Sequence, residues 1–145
     1  MKKYLSILLL FSFAALLWGC HFTASDPNSS LYWLPEGSGF VDYEIDGDCV
    51  RFRYRICFVN EDQQDVNVKL SAAFSGNELT GWVESKEYFD GLDDEGQWSY
   101  RTVKASGKTE LVYTFEGRYL GGDVNTELSF PDELMVATAP SPSAD

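Results

Sequence analysis

The chain has 145 residues, 44% of them hydrophobic and 15% aromatic, with 11 Lys and Arg against 23 Asp and Glu and a formal net charge of −12. That length supports one modest core rather than two domains. The charge argues against nucleic acid, whose phosphates need a basic footprint, and against adhesion of the folded part to anionic lipid headgroups. Basic proteins, polycations and divalent metals fit the sign, and so does acidity that serves solubility alone.

Lys2 and Lys3 precede an apolar run from Tyr4 to Trp18, followed by Gly19 and Cys20. This is the three-part layout of a secretory signal. The run is shorter than the roughly 20 residues of a permanent transmembrane helix, which favours cleavage. The segment Leu17-Trp18-Gly19-Cys20 resembles the lipobox of bacterial lipoproteins. The resemblance implies diacylglycerol on the Cys20 sulfur, cleavage after Gly19, and a palmitate-type lipid anchor on the outer side of a bacterial membrane, at the cell surface or the periplasmic face. Two or three acyl chains hold a protein at a membrane where one does so only marginally. Loss of residues 1–19 removes Lys2 and Lys3 and no acid, leaving nine basic against 23 acidic residues, a net charge of −14.

Residues 20–30 read as the lipidated cysteine and a flexible polar spacer containing Pro and Ser. Beyond it the hydrophobic period is two. Val41, Tyr43 and Ile45 alternate with Asp42 and Glu44, and Asp46-Gly47 follows, a pairing typical of type I′ hairpin turns. A loop of those two residues predicts Ile45 opposite Asp48, Tyr43 opposite Val50, Val41 opposite Phe52, and Asp42 opposite Arg51.

Val50, Phe52, Tyr54, Ile56 and Phe58 then alternate with Cys49, Arg51, Arg53, Arg55 and Cys57, the pattern of a half-buried strand. With Cys20 lipidated, Cys49 and Cys57 form an even pair, which in an oxidising compartment invites a bridge. Extended chain at about 3.3 Å per residue places them roughly 26 Å apart, however, far beyond the Cα separation of about 7 Å that a disulfide tolerates. Two free thiols on one face are expected. Arg51, Arg53 and Arg55 form a basic row on an acidic molecule. Guanidinium groups grip carboxylates and phosphates through two bonds, so a binding strip is one reading. Cross-strand pairing with Asp42, Glu44 and acids of a neighbouring strand is the plainer one.

Residues 60–64 form a polar loop, and Val66, Val68, Leu70, Ala72 and Phe74 mark the next strand. Gly76-Asn77 breaks it, and Trp82-Val83 reads as a short strand. Residues 91–96 form an acidic loop containing Asp93 and Asp94, before a strand from Trp98 to Val103. Calcium finds no EF-hand spacing there, because Leu92 falls where a ligand is needed. Trp82, Tyr88, Phe89, Trp98 and Tyr100 cluster around this loop. Exposed and coplanar, they would stack on sugar rings; in a small sandwich such residues more often fill the core. After Ser106-Gly107, Leu111, Tyr113 and Phe115 alternate with polar neighbours. A last strand over about residues 127–136 contains Pro131, which suits an edge or a bulge. Residues 139–145 read as a disordered tail.

About seven short strands within residues 31–138 predict an all-β antiparallel sandwich. The run SGKTELVYTFEGRYL resembles the turn and strand near the end of the immunoglobulin-like domains that many bacterial lipoproteins carry behind the lipid anchor. That resemblance implies an immunoglobulin-like fold in an extracytoplasmic role and carries no activity. Chemistry is sparse: His21, the only histidine, sits on the spacer, so a Ser-His-Asp set is hard to build and zinc lacks its usual ligand. No cofactor, metal or catalytic residue is expected. The sequence favours a monomeric, non-catalytic binding or accessory domain held to the membrane through lipid on Cys20, with a protein or polysaccharide ligand. An acidic immunity or inhibitor lipoprotein against a basic enzyme or toxin is the main alternative, and a carbohydrate-binding module a weaker one. Candidate binding residues are Trp82, Trp98, Tyr100, Asp93, Asp94, Arg51, Arg53 and Arg55.

Overall fold

The alternation that dominates the sequence becomes two antiparallel sheets with their apolar faces turned together, in a computed structural model that describes residues 21–23 and 30–140. The residues read as signal run and as cleavage and lipidation site, up to Cys20, together with residues 24–29 of the spacer and 141–145 of the tail, lie outside the described residues. Eight strands are present among those described: β1 (His21–Thr23), β2 (Leu31–Asp46), β3 (Cys49–Asn60), β4 (Val66–Ala73), β5 (Phe89–Asp90), β6 (Arg101–Val103), β7 (Gly107–Arg118) and β8 (Glu133–Pro140). One short helix, α1 (Gly76–Leu79), follows β4. No helix among the described residues is long and apolar enough to cross a membrane.

The first sheet has the order β2-β3-β7; the second runs β1-β8-β4-β5, with β6 also on β4. Both are antiparallel throughout, and the fold is an all-β sandwich. In the immunoglobulin arrangement the last two strands share a sheet. Here β7 and β8 lie in different sheets, so the strand order departs from that family.

Every second residue of β3 points into the core: Val50, Phe52, Tyr54, Ile56 and Phe58 are fully buried. They meet Leu111, Tyr113 and Phe115 of β7, and Val68, Leu70 and Ala72 of β4 from the facing sheet. Phe52 stands at the centre of an aromatic cluster, with ring centroids of Trp82, Phe74 and Phe115 at 5.3, 5.5 and 5.5 Å. Such pairs each add about 0.5–1.5 kcal/mol beyond the area they bury.

The β2–β3 hairpin forms, but with a shifted turn. Asp46 stands opposite Cys49, so the loop is Gly47-Asp48 and not Asp46-Gly47. Only Gly47 has positive φ, at 60°, which fits a type II′ turn with glycine at its first central position. From Asp42 to Asp46 the shift keeps each residue on its expected face and changes the partners: Tyr43 faces Phe52, Ile45 faces Val50, Asp42 faces Arg53 and Glu44 faces Arg51, while Val41, expected opposite Phe52, falls in a bulge between Phe40 and Asp42. Two acids now stand opposite arginines where the expected register offers one.

Other boundaries move as well. His21–Thr23 pairs with Ala137–Met135 of β8, so the spacer is not wholly free chain, and β8 extends to Pro140 into the segment read as tail. Pro131 lies before β8 rather than within it. The region around Trp82-Val83 is not a strand: Val83 makes a single bridge to Tyr119. The strand read from Trp98 to Val103 is confined to Arg101–Val103.

Candidate functional site

The outward face of the β2-β3-β7 sheet carries the arginine row, and the sheet supplies a carboxylate for each member. Arg53 grips Asp42 with two bonds, one of them Nε to Oδ1 at 2.6 Å. Arg51 Nε donates to Glu116 Oε2 at 3.0 Å, and Arg55 Nε lies 3.8 Å from Glu110 Oε2. The guanidinium beside Asp42 holds that carboxyl below the usual range. All three pairs are exposed, so each adds little to stability, typically below about 1 kcal/mol. Their consequence is chemical: the Arg53 fork is filled by Asp42, and Arg51 and Arg55 are each turned toward a carboxylate of β7.

The acidic loop is brought over this face by a crossing between the sheets. Gly91 N–H donates to Leu70 O of β4 at 2.9 Å; one residue later, Leu92 and Thr114 of β7 exchange both backbone bonds, at 2.8 and 3.0 Å. Thr114 is the residue opposite Arg53. The chain thus leaves one sheet and pairs with the edge of the other at the level of the arginine row, where residues 93–96 turn. Asp93 builds that turn: Oδ1 accepts the N–H groups of Glu95 and Gln97, both at 2.9 Å, and Oδ2 accepts the Ser99 hydroxyl at 2.5 Å. The Ser99 hydroxyl, with the Gln97 and Glu95 amides, lowers the Asp93 pKa.

Between the loop and the sheet lies a groove of about 490 Å³. Its sheet wall is formed by Asp42, Tyr43, Glu44, Arg51, Arg53, Thr114 and Glu116, and its other wall by Leu92 to Gly96. Six carboxylates face two guanidinium groups, a net charge of −4 on the lining. Asp42 and Glu116 are spent on the arginines and Asp93 on its own loop, which leaves Glu44, Asp94 and Glu95 without an ion-pair partner among the described residues. Asp94 is within electrostatic reach of Arg53, and Glu44 of Arg51. The arrangement attracts cations.

Four of the residues singled out from the sequence therefore converge here: Arg51, Arg53, Asp93 and Asp94. The others do not. Arg55 lies outside the groove lining and pairs with Glu110. Trp82 is 1% exposed, and its Nε1 donates to Glu78 O at 2.7 Å, so it is a core residue and not a binding one. Trp98 and Tyr100 sit over the outer face of the other sheet, 46% and 48% exposed. There the Lys69 ammonium lies 3.7 Å from the Trp98 ring centroid and 5.5 Å from that of Tyr100. Trp98 Nε1 donates to Leu70 O at 2.8 Å, at the stretch of the β4 edge between the segments covered by β6 and β5. Asp90 is on that side too, accepting the Ser71 hydroxyl at 2.8 Å.

Glu44, Glu116 and Thr114 were not picked out as site residues by sequence reasoning. Alternation in β7 marks Glu116 and Thr114 as outward-facing, but nothing local reveals that the Leu92 bridge sets the loop beside them. Cys49 and Cys57 are both free thiols, as strand geometry predicts. Comparison with protein-family models, curated proteins and solved structures finds no match.

Proposed function

We propose that the chain is a lipid-anchored, extracytoplasmic binding module without catalytic activity, and that the acidic groove on the β2-β3-β7 sheet is its contact surface for a cationic partner protein. The observation that carries this reading is the groove lining: among the described residues its two cations are paired, and three carboxylates beside them have no ion-pair partner. A net negative concavity raises the local concentration of basic ligands and speeds their association. An inhibitor or immunity role against a basic enzyme is the specific form of this reading that the charge favours. Membrane attachment rests on the lipobox-like segment ending in Cys20.

Titration with a basic protein, lysozyme, tests the surface. Binding is expected at low salt and to weaken steeply as salt rises, and the triple variant Glu44→Gln, Asp94→Asn, Glu95→Gln is expected to lose it. Absence of binding at low salt, or binding indifferent to that variant, overturns the reading. Labelling with a radioactive fatty acid tests the anchor: label absent from the chain, or retained by Cys20→Ala, removes it.

A carbohydrate-binding reading draws on the exposure of Trp98 and Tyr100. It is the weaker one, because the Lys69 ammonium occupies one face of the indole on which a sugar would stack, and Trp82 is buried.

A further inference from the structure

We propose that the free edge of β2 from Asp42 to Asp46 receives an extended basic segment of the partner protein as an additional strand. This rests on the acidic-groove reading and supplies the geometry of the partner that reading leaves open.

Among the described residues β2 pairs only with β3, so its other side is an open edge. In an antiparallel strand the backbone N–H and C=O groups point alternately to either side, and alternate residues of such an edge offer theirs to a newcomer. Proteins usually blunt exposed edges with bulges, proline or lysine. The first part of β2 is blunted in this way, with Pro35 and register shifts between Leu34 and Gly39 and between Phe40 and Asp42. From Asp42 to Asp46 the pairing with Arg53 to Cys49 is uninterrupted, and this stretch contains no proline and no lysine. Among the described residues no strand, bulge or proline protects this edge.

Its two faces differ in character. Tyr43 and Ile45 lie on the core side of the sheet, opposite Phe52 and Val50, which are both 0% exposed. Yet Tyr43 and Ile45 are themselves 46% and 39% exposed, because the facing sheet does not reach them. Asp42 and Glu44 occupy the other face, on the wall of the groove, and Asp46 follows in the same alternation. A strand laid against this edge meets apolar side chains on one face and carboxylates on the other. The matching sequence alternates Lys or Arg with Val, Ile or Tyr, as β3 itself does across the same residues. A second copy of β2 is disfavoured as occupant on charge: it sets Asp42, Glu44 and Asp46 against their own counterparts, and like charges directly opposed destabilise a strand pair.

The test uses the full chain in detergent micelles, titrated with a synthetic peptide of alternating Lys and Val. The same peptide N-methylated at alternate amides, in either frame, serves as comparator because it keeps every side chain and loses the edge bonds. The alternating peptide is expected to bind, with methylation in one frame weakening it by about tenfold or more. Glu44→Lys and Ile45→Lys are each expected to weaken it severalfold, with new amide-exchange protection at residues 42–46. Equal affinity of both methylated peptides, or protection confined to residues 92–96, overturns the edge proposal while leaving the cationic groove intact. Failure of the peptide to bind where lysozyme does has the same meaning; failure of both removes the groove reading as well. A homodimer dispersed by Ile45→Lys overturns the proposal in favour of a second copy. The methylated-peptide comparison needs no variant, so a misfolded mutant does not rescue the idea.

Discussion

Leu92 and Thr114 exchange both of their backbone hydrogen bonds, and this single bridge fixes where the acidic loop stands relative to the arginine row. It depends in turn on the residue before it. A Cβ built on Gly91 would lie 2.7 Å from Leu70 Cδ1 and 2.9 Å from Tyr113 Cδ1, closer than packed atoms approach. Gly91 is buried at the crossing between sheets, so neither neighbour has room to yield freely.

Gly91→Ala is therefore expected to destabilise the fold by about 1–3 kcal/mol, the usual range for overpacking a close-packed core. It is also expected to displace the 93–96 loop and weaken cation binding more than its loss of stability explains. Urea unfolding beside a lysozyme titration separates the two effects. A variant with unchanged stability shows that the crossing has slack and that the glycine is incidental.

The contrast between strand and crossing explains what was legible in the sequence. Residues 49–58 announce a strand because period-two alternation is a local property, and the same alternation predicts which face holds the arginines and that Cys49 and Cys57 stay apart. The sequence places the turn one residue early because Asp46-Gly47 and Gly47-Asp48 are both acceptable turn pairs; the choice rests on positive φ at Gly47 alone and on a register that sets Asp42 opposite Arg53 and Glu44 opposite Arg51. The groove was half legible: its arginines and the loop aspartates stand out by composition. Their juxtaposition depends on a bridge between residues 92 and 114, a non-local contact with no sequence signature. Trp82 and Trp98 look alike in sequence and diverge only because one falls between the sheets and the other outside them.

That divergence makes a sharp pair of variants. Trp82 is 1% exposed and packs on Phe52 at 5.3 Å, so Trp82→Ala opens a large cavity and is expected to cost about 3–5 kcal/mol. Trp98 is half exposed, and its one hydrogen bond goes to Leu70 O, which also accepts the Gly91 N–H. Trp98→Ala thus orphans no buried group; it loses that bond, the contact with the Lys69 ammonium and the packing of a half-buried ring, and is expected to cost about 1–2 kcal/mol, well below the Trp82 variant. Denaturation midpoints check the ranking, and comparable losses in the two variants contradict the assignment of Trp82 to the core and Trp98 to the surface.

Acid unfolding follows from three depressed carboxyls. Asp93 is lowered from its ordinary 3.8 first by the Ser99 hydroxyl and then by the Gln97 amide, Asp42 by Arg53, and Asp65 first by the Ala105 amide and then by Lys104. A carboxyl whose pKa is lower folded than unfolded stabilises the fold above its unfolded value, and that contribution is lost as pH falls through the folded one. Stability from these groups is expected to hold steady from neutral pH down to about 5 and to decline below about 4. Urea midpoints across that range measure the decline, and Asp93→Asn is expected to flatten part of it. A decline that begins near pH 6 assigns acid sensitivity to other groups.

The thiols test the region that closes β2 onto β3. Cys57 is 3% exposed, partly because the bulge at residues 35–38 folds across it: its N–H donates to Ser38 Oγ at 2.9 Å, and that hydroxyl donates to Leu34 O at 2.6 Å. Ser38 thereby keeps a partner for backbone groups where the register shift interrupts the ladder. Cys49 sits at the exposed turn end of β3, with its thiol pKa raised first by desolvation and then by Glu116. In the native chain at neutral pH, Cys49 is expected to alkylate first, though slowly because its thiolate is disfavoured, and Cys57 only after unfolding, with no reductant needed for either. Ser38→Ala leaves the Cys57 N–H without that acceptor and is expected to cost about 1–3 kcal/mol, with Cys57 becoming reactive before global unfolding. Mass spectrometry after timed alkylation follows both cysteines. Protection of Cys57 in Ser38→Ala equal to that of the parent chain contradicts the role given to the bulge.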